Sequence, residues 1–457
     1  MRKQIDMLNM INTLKQDLQE TNDLIVHSFE YFNQQITLVY LQNLCDVDKI
    51  KSDIIQPLML CERESKYLLH LLSLTTSTEI QQYENLQGLI LEGNILIFIS
   101  NSIYSYKVVR IVNDQPEDAT VEMSVQGPQK SFTQDLNVNI ALIRSRYPSN
   151  KIKVEYQVVG TLSKTKIALL YDVAYVDFKV LTELKKRLSK IDMDVVQAAG
   201  QIDNALKKGK ISVFPTTMIT ERPDRAVLNL SQGKIIIIVN GTPFTLSLPV
   251  IFFDFMSSMD DLYHSYWVKK LMLIIRYAAL FITLILPALY IAITSFNPEI
   301  LRSQLTLTIA GSRAGVPYPS FYEVIFMMLA VEMLIEASIR LPKAIGPTAT
   351  TVGGLILGQA AQQAELVSSI MIIVTAFVAI ANFTIPINAM SFAIRCIRYP
   401  LIILASFFGL VGLVAGIIVT LCILVDLRSF GTPFLSIYWG STKKIESISE
   451  NPKEGHN

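Results

Sequence analysis

The chain has 457 residues, 51% hydrophobic and 17% charged, with a net charge of +1. A balance this close to neutral provides no field that would gather nucleic acid, and a mean hydropathy of +0.39 is high for a chain that stays wholly in water. The four cysteines (Cys45, Cys61, Cys396, Cys422) form no CxxC pair, so neither a disulfide framework nor a zinc site follows.

The apolar excess lies almost entirely after Lys270. Before it the sequence is mixed and rich in Lys, Asp, Glu and Gln. This divides the chain into a soluble region of about 265 residues and an integral membrane region of about 160. The expected fold class is an α/β cytoplasmic region of two similar lobes followed by an α-helical polytopic membrane domain. The expected boundaries are 1–115 for lobe 1, 116–265 for a linker and lobe 2, 266–430 for a membrane domain of about five spans, and 431–457 for a polar tail. The opening "MRKQIDMLNMINTLKQDLQE" lacks the apolar core of a signal peptide, so the soluble region is expected in the cytoplasm.

Within the soluble region two stretches echo each other. "ITLVYLQNLCDVDKIKSDII" from Ile36 is followed by "GNILIFISNSIYSYKVV" from Gly93, and "IALLYDVAYVDFKVLTELKKRL" from Ile167 by "GKIIIIVNGTPFTLSL" from Gly233. Each half reads as a β-rich strand, an Asp-marked turn and an amphipathic helix, then a glycine, an Ile/Val-rich strand, a turn and another strand. No catalytic set accompanies them. "QGPQKS" and "KKGKIS" lack the upstream glycine of a phosphate loop. The four histidines (His27, His70, His264, His456) are scattered, without metal-ligand spacing. "ITERPDRAV" packs Glu221, Arg222, Asp224 and Arg225 around Pro223, as a salt-bridged turn or a docking corner for a partner.

"YHSYWVKK" marks the membrane entry. Tyr263, Tyr266 and Trp267 suit a headgroup belt, and Lys269 and Lys270 a cytoplasmic flank. The first span is expected from Leu271 to Phe296, with Pro287 inside it and Arg276 able to snorkel outward. Four segments follow: Phe321–Ile339, Gly346–Gln362, Leu366–Ala389 and Pro400–Val425. If all five cross, the loops holding Arg340/Lys343 and Arg395/Arg398 lie inside, as positive charge prefers, and Arg428, Lys443 and Lys444 lie outside. A re-entrant 321–339 or 346–362 segment would instead return the tail to the cytoplasm.

Two of these segments break the apolar pattern. Glu332, Glu336 and Arg340 are four apart and are expected on one helix face, with Glu323 near it. Ionisable groups are costly in hydrocarbon, so the face must meet protein, water or the interface. Gly346, Thr350, Gly354, Gly358 and Gln362 recur every fourth residue, widened by Thr351, Gly353 and Gln359. Such a face either lets helices pack closely or, repeated around an oligomer, lines a water-filled path. Gln359, Gln362, Gln363 and Glu365 at one end suit a polar pore mouth. On the second use, the residues of the path are Thr350, Thr351, Val352, Gly354, Gly358 and Gln362, with Glu332, Glu336 and Arg340 positioning or coupling that helix; the residues themselves show only the small, polar face, and the choice between the two uses rests on the resemblance given next.

Eight blocks occur in order over most of the chain: "ITERPDRAV", "GKIIIIVNGTPF", "LPALYIAITSFNPE", "RAGVPYPSF", "EASIRLPKAIG", "GGLILGQAA", "LVSSIMIIVTAFVAIANFTIP" and "LRSFGTPFLS". On these the chain resembles the A subunit of the GerA family of spore germinant receptors. It departs from the family at Ile437, where proline is usual, and in a first lobe that matches loosely. The resemblance implies a non-enzymatic protein without cofactor in the inner membrane of a bacterial endospore. It also implies a transporter-like B subunit that binds the nutrient, a lipoprotein C subunit, and assembly of A subunits, as pentamers, into a nutrient-gated ion channel that starts germination. An A-type paralogue acting with the SpoVA dipicolinate channel, a secondary transporter and a scaffold are the rival readings.

Overall fold

The computed structural model describes residues 2–436 except 33, 62, 81–84, 100–101, 110–117, 123, 125, 208–211 and 342–345. Lys343, Ile437, Lys443, Lys444, His456, the middle of "KKGKIS" and the rest of the tail therefore lie outside the described residues.

Two five-stranded sheets build the first half. Strands β1 (Leu24–Tyr31), β2 (Gln34–Leu41), β3 (Ser77–Ile80), β4 (Asn94–Ile99) and β5 (Ser102–Lys107) lie in the order β1-β2-β4-β5-β3. Strands β6 (Ile152–Val159), β7 (Thr165–Asp172), β8 (Met218–Thr220), β9 (Ile235–Val239) and β10 (Thr245–Leu248) repeat it as β6-β7-β9-β10-β8. The repeated sequence blocks occupy matching places: β2 with β7, β4 with β9 and β5 with β10. All the paired strands run antiparallel, so each lobe is built from reversals rather than parallel crossovers. The glycine-led strands β4 and β9 are central and buried on both faces, which is why they read as unbroken Ile/Val/Leu/Phe runs.

Helices cover both faces of each sheet. In lobe 1, α1 (Arg2–Asp17) covers one face and α2 (Glu64–Ser73) the other. In lobe 2, α3 (Leu136–Arg146) and α5 (Pro223–Ser231) lie on one face and α4 (Phe178–Leu188) on the other. The Asp-marked turns are caps: Asp46 accepts from the Asp48 and Lys49 amides, and Asp177 from the Lys179 amide. The lobes are locked by a buried ion pair. Arg144 of α3 donates through Nε and Nη2 to Asp23 at 2.8 and 2.9 Å. The Asn22 N–H donates to the Val154 carbonyl of β6 beside it.

The second half is helical. Its helices are α6 (Tyr266–Ser295), α7 (Ser303–Arg313), α8 (Ser320–Arg340), α9 (Gly346–Gln363), α10 (Ser369–Thr384) and α11 (Asn388–Asp426). Among the described residues, α6 and α11 are long and apolar enough to cross a membrane. The 400–425 stretch is not one straight rod, however. Gly409 has φ 58° and ψ −137°, outside helical geometry, and a Cβ on Gly416 would lie 2.5 Å from Leu401 Cδ2. In a straight helix those residues would be about 22 Å apart along the axis. The chain therefore reverses at Gly409 into two antiparallel limbs, 388–408 and 410–426, and Leu424 packs with Met390 and Ile394.

This reversal changes the expected course. The end of α6 meets the start of α8 through Ser295 and Ser320, and Gly346 lies beside Leu341. Gly315 lies against Glu365, and Ile385 packs with Phe255 of lobe 2. Gly409 lies on Phe296, at the far end of α6. Leaving α7 aside, six helical limbs thus alternate in direction among the described residues, against the five expected. Both ends of the described helical region, Tyr266 and Asp426, fall on the lobe side. Arg428, expected opposite the lobes, is followed by Phe430, which enters the lobe 2 core, and Phe434, which is fully buried. Ser429 Oγ donates to the Thr216 carbonyl and accepts from the Val250 amide. The start of the expected polar tail is thus a docked segment.

Candidate functional site

Helix α9 carries the small-residue series. An α-helix has about 3.6 residues per turn, so each step of four advances about 40°, and Gln362 stands about 160° around from Gly346. The expected single face is therefore a winding ridge. Gly346 is buried, Gly354 and Gly358 are half-buried, and Gln362 is exposed. A Cβ on Gly354 would meet Leu334 of α8 at 3.6 Å, and one on Gly358 nothing within 4 Å. With Thr351 these glycines line a cavity of about 350 Å³ between α8, α9 and α10, walled also by Ser338, Thr375 and Phe383. Thr351 and Val352 are themselves exposed, with Leu355, Ile356 and Gln359 along the outer side. Thr350 belongs to α9, but its side chain lies outside the described residues.

The charged residues of α8 do not act as one face. Glu332 accepts from Arg395 Nη1 at 2.6 Å and from Arg398 Nη2 at 2.7 Å. Glu336 and Arg340 pair with each other on the surface at 2.6 Å. Glu323 stands about half a turn around from Glu332. It is buried against Arg313 Nε at 2.9 Å and accepts from the Ser368 amide at 3.1 Å. Arg395 and Arg398, assigned by sequence to a loop, belong to the first limb of α11. Their spacing of three, which puts them on one helix face, was the available signal.

A second set of ion pairs ties lobe 2 to the helices. "ITERPDRAV" is a salt-bridged corner: Arg222 pairs with Asp224 at 2.6 Å, Arg225 with Glu122 at 3.1 Å, and Pro223 opens α5. The Val121 and Glu122 amides donate to Glu221. Burial raises the Glu122 carboxyl above its ordinary value, against the pull of Arg225. Burial likewise lowers the Lys234 ammonium, which pairs with Asp254 at 2.9 Å. Arg276 of α6 does not snorkel outward; it turns back to grip Asp261 through both terminal nitrogens. Burial alone would raise the Asp261 carboxyl, but the bonds from Arg276 and the Ser258 amide hold it below its ordinary 3.8. Tyr266 and Trp267 are exposed at the start of α6, with Lys270 over both rings.

Among the described residues no cluster of His, Cys, Asp and Glu could hold a metal ion. The Bacillus/Clostridium GerA spore germination protein family matches residues 12–448. The chain belongs to this family. That membership gives it a role in spore germination. It is 33% identical to Spore germination protein KA of Bacillus subtilis (strain 168) over 469 residues, covering 96% of this chain and 86% of that protein. It is 32% identical to Spore germination protein B1 of the same organism, covering 94% and 91%. The Uncharacterized membrane protein YfkQ, also of that organism, is 32% identical over 91% of this chain and 82% of its own length. The N-terminal domain of the A subunit of the Bacillus megaterium spore germinant receptor GerK3 aligns to 53% of this chain and 94% of its own, at 24% identity and a TM-score of 0.41.

Proposed function

We propose that this family member is the A subunit of a nutrient germinant receptor in the spore inner membrane, with its two lobes in the cytoplasm. Copies assemble in a ring, and α9 from each lines a path for monovalent ions. Nutrient binds a transporter-like B subunit, and a lipoprotein C subunit completes the receptor. The observation that carries the reading is the state of α9. It rests chiefly on α8, bears a ridge of glycines over an open cavity, and leaves Thr351, Val352, Gln359 and Gln362 uncovered. In an otherwise apolar helical region, hydroxyl and amide groups on an exposed helix side suit water rather than lipid. The cavity under Gly354 and Gly358 gives α9 room to move against Leu334. Nutrient opens the path to the extent that it binds the open assembly more tightly than the closed one.

Thiol labelling of Thr351→Cys, Val352→Cys and Gln362→Cys in the assembled receptor tests this. Water-soluble reagents are expected to reach Thr351→Cys once nutrient is added and to block ion release. Sites shielded in both resting and triggered receptors would overturn the pore and leave a scaffold. Saturable, slow flux instead of large currents would indicate a carrier.

A further inference from the structure

Inside the helical region two guanidiniums share one carboxylate. Arg395 and Arg398 each spend one terminal nitrogen on Glu332. The two arginines are 7% and 1% exposed, and the Nε of each has no hydrogen-bond partner. Two positive charges against one negative leave one positive charge in excess. Among the described residues no second carboxylate is paired with either arginine. A buried cation without a counter-charge is costly, most of all in an apolar region. The two unused Nε–H donors and the excess charge point to the same missing group, an anion with several acceptor oxygens. A guanidinium fork matches phosphate oxygens in this way.

Position narrows the source. Glu332 lies about 6 Å further from the lobe side than Glu336 and about 12 Å further than Arg340, the two members of the exposed pair. That is the depth at which headgroup meets hydrocarbon if Glu336 and Arg340 sit at the water boundary. The surface beside these residues is apolar: Met333, next to Glu332, is 74% exposed and Phe392 47%, and Arg395 stacks on the Phe392 ring at 4.4 Å. We propose that Arg395 and Arg398, only half neutralised by Glu332, bind a phosphate group, carried by an anionic lipid headgroup or present as the free ion. The apolar rim favours the lipid. The inference rests on the reading that these helices cross a bilayer.

The full-length chain is reconstituted in nanodiscs of phosphatidylcholine with a minor share of phosphatidylglycerol, and retained lipids are counted by native mass spectrometry. Phosphatidylglycerol is expected to be kept about tenfold over phosphatidylcholine, whose phosphate already carries its own choline counter-charge. Arg395→Gln abolishes the preference. Glu332→Gln removes the competing carboxylate, keeps both arginines and strengthens the preference; a purely structural Glu332 would weaken it. Inorganic phosphate that displaces the lipid identifies the free ion as a competent ligand, and failure to displace it identifies the headgroup. Equal retention of the two lipids without phosphate binding, or a weakened preference in Glu332→Gln, overturns the site. So does a chain that holds neither anion yet needs Arg395 to associate, which assigns the charge to a carboxylate of a neighbouring copy. Incorporation into nanodiscs without lipid preference sinks the phosphate site alone and leaves the membrane reading to the thiol test.

Discussion

Leu401 fills the space where a side chain on Gly416 would stand, so the two halves of the last long helical run lie side by side. That contact returns the chain to lobe 2, where Phe430 and Phe434 dock. Leu401→Cys combined with Gly416→Cys should form a disulfide on mild oxidation, seen as a mobility shift after cleavage between the two sites. An unlinked pair would mean a continuous rod. Gly416→Leu should overpack the hairpin and cost about 1–3 kcal/mol, read as a lower unfolding temperature in detergent.

Sidedness follows from the same hairpin. Epitopes placed before Met1 and after Ser436 should be protected or digested together in sealed vesicles of one orientation. Opposite protection of the two ends would restore an odd number of crossings.

Asp23 and Arg144 join the lobes while both are almost fully buried. Removing one partner strands the other charge, so Asp23→Ala should destabilise the chain by about 3–5 kcal/mol. Replacing both with apolar residues of similar size should cost much less. Denaturant unfolding of the single and double variants measures the difference.

Asp261 holds the first helix to lobe 2 through Arg276, and its folded pKa lies below its ordinary 3.8. A depressed carboxylate contributes stability that is full above its unfolded pKa and is lost as pH falls through the folded one. The clasp should therefore hold at neutral pH and weaken below about pH 3.8. Asp261→Asn should flatten that part of the stability–pH curve, measured by thermal unfolding at stepped pH.

Glu336 and Arg340 are both largely exposed, and such i,i+4 pairs are worth about 0.3–0.5 kcal/mol. Glu336→Gln should leave stability nearly unchanged. If the residue couples nutrient binding to the pore, the same variant shifts the nutrient dose response of germinating spores. An unchanged response makes the pair an interface feature only.

Much of the architecture was legible in the chain because local patterning encodes it. Alternation and Ile/Val runs marked the strands, and the repeated blocks around Ile36 and Ile167 foretold two similar lobes, though not the strand order they share. The helices α6, α8 and α9 lie close to where their apolar runs place them. The partners of the charged side chains were not legible. Glu332 reaches Arg395 and Arg398 across more than sixty positions, and Arg276 turns back to Asp261. Burial makes such pairs obligatory, but sequence gives no rule for choosing among the cations available. Nor could hydropathy find the reversal at Gly409, because both limbs are equally apolar and the turn needs only one glycine with a positive φ. Sequence by itself determined which segments are strands, which are greasy helices and which family they compose, since these depend on neighbours within a few residues. Tertiary structure alone decided where the last helix turns, which side the tail joins and which arginines meet which acid, because those follow from long-range packing and the cost of leaving a buried charge unmatched.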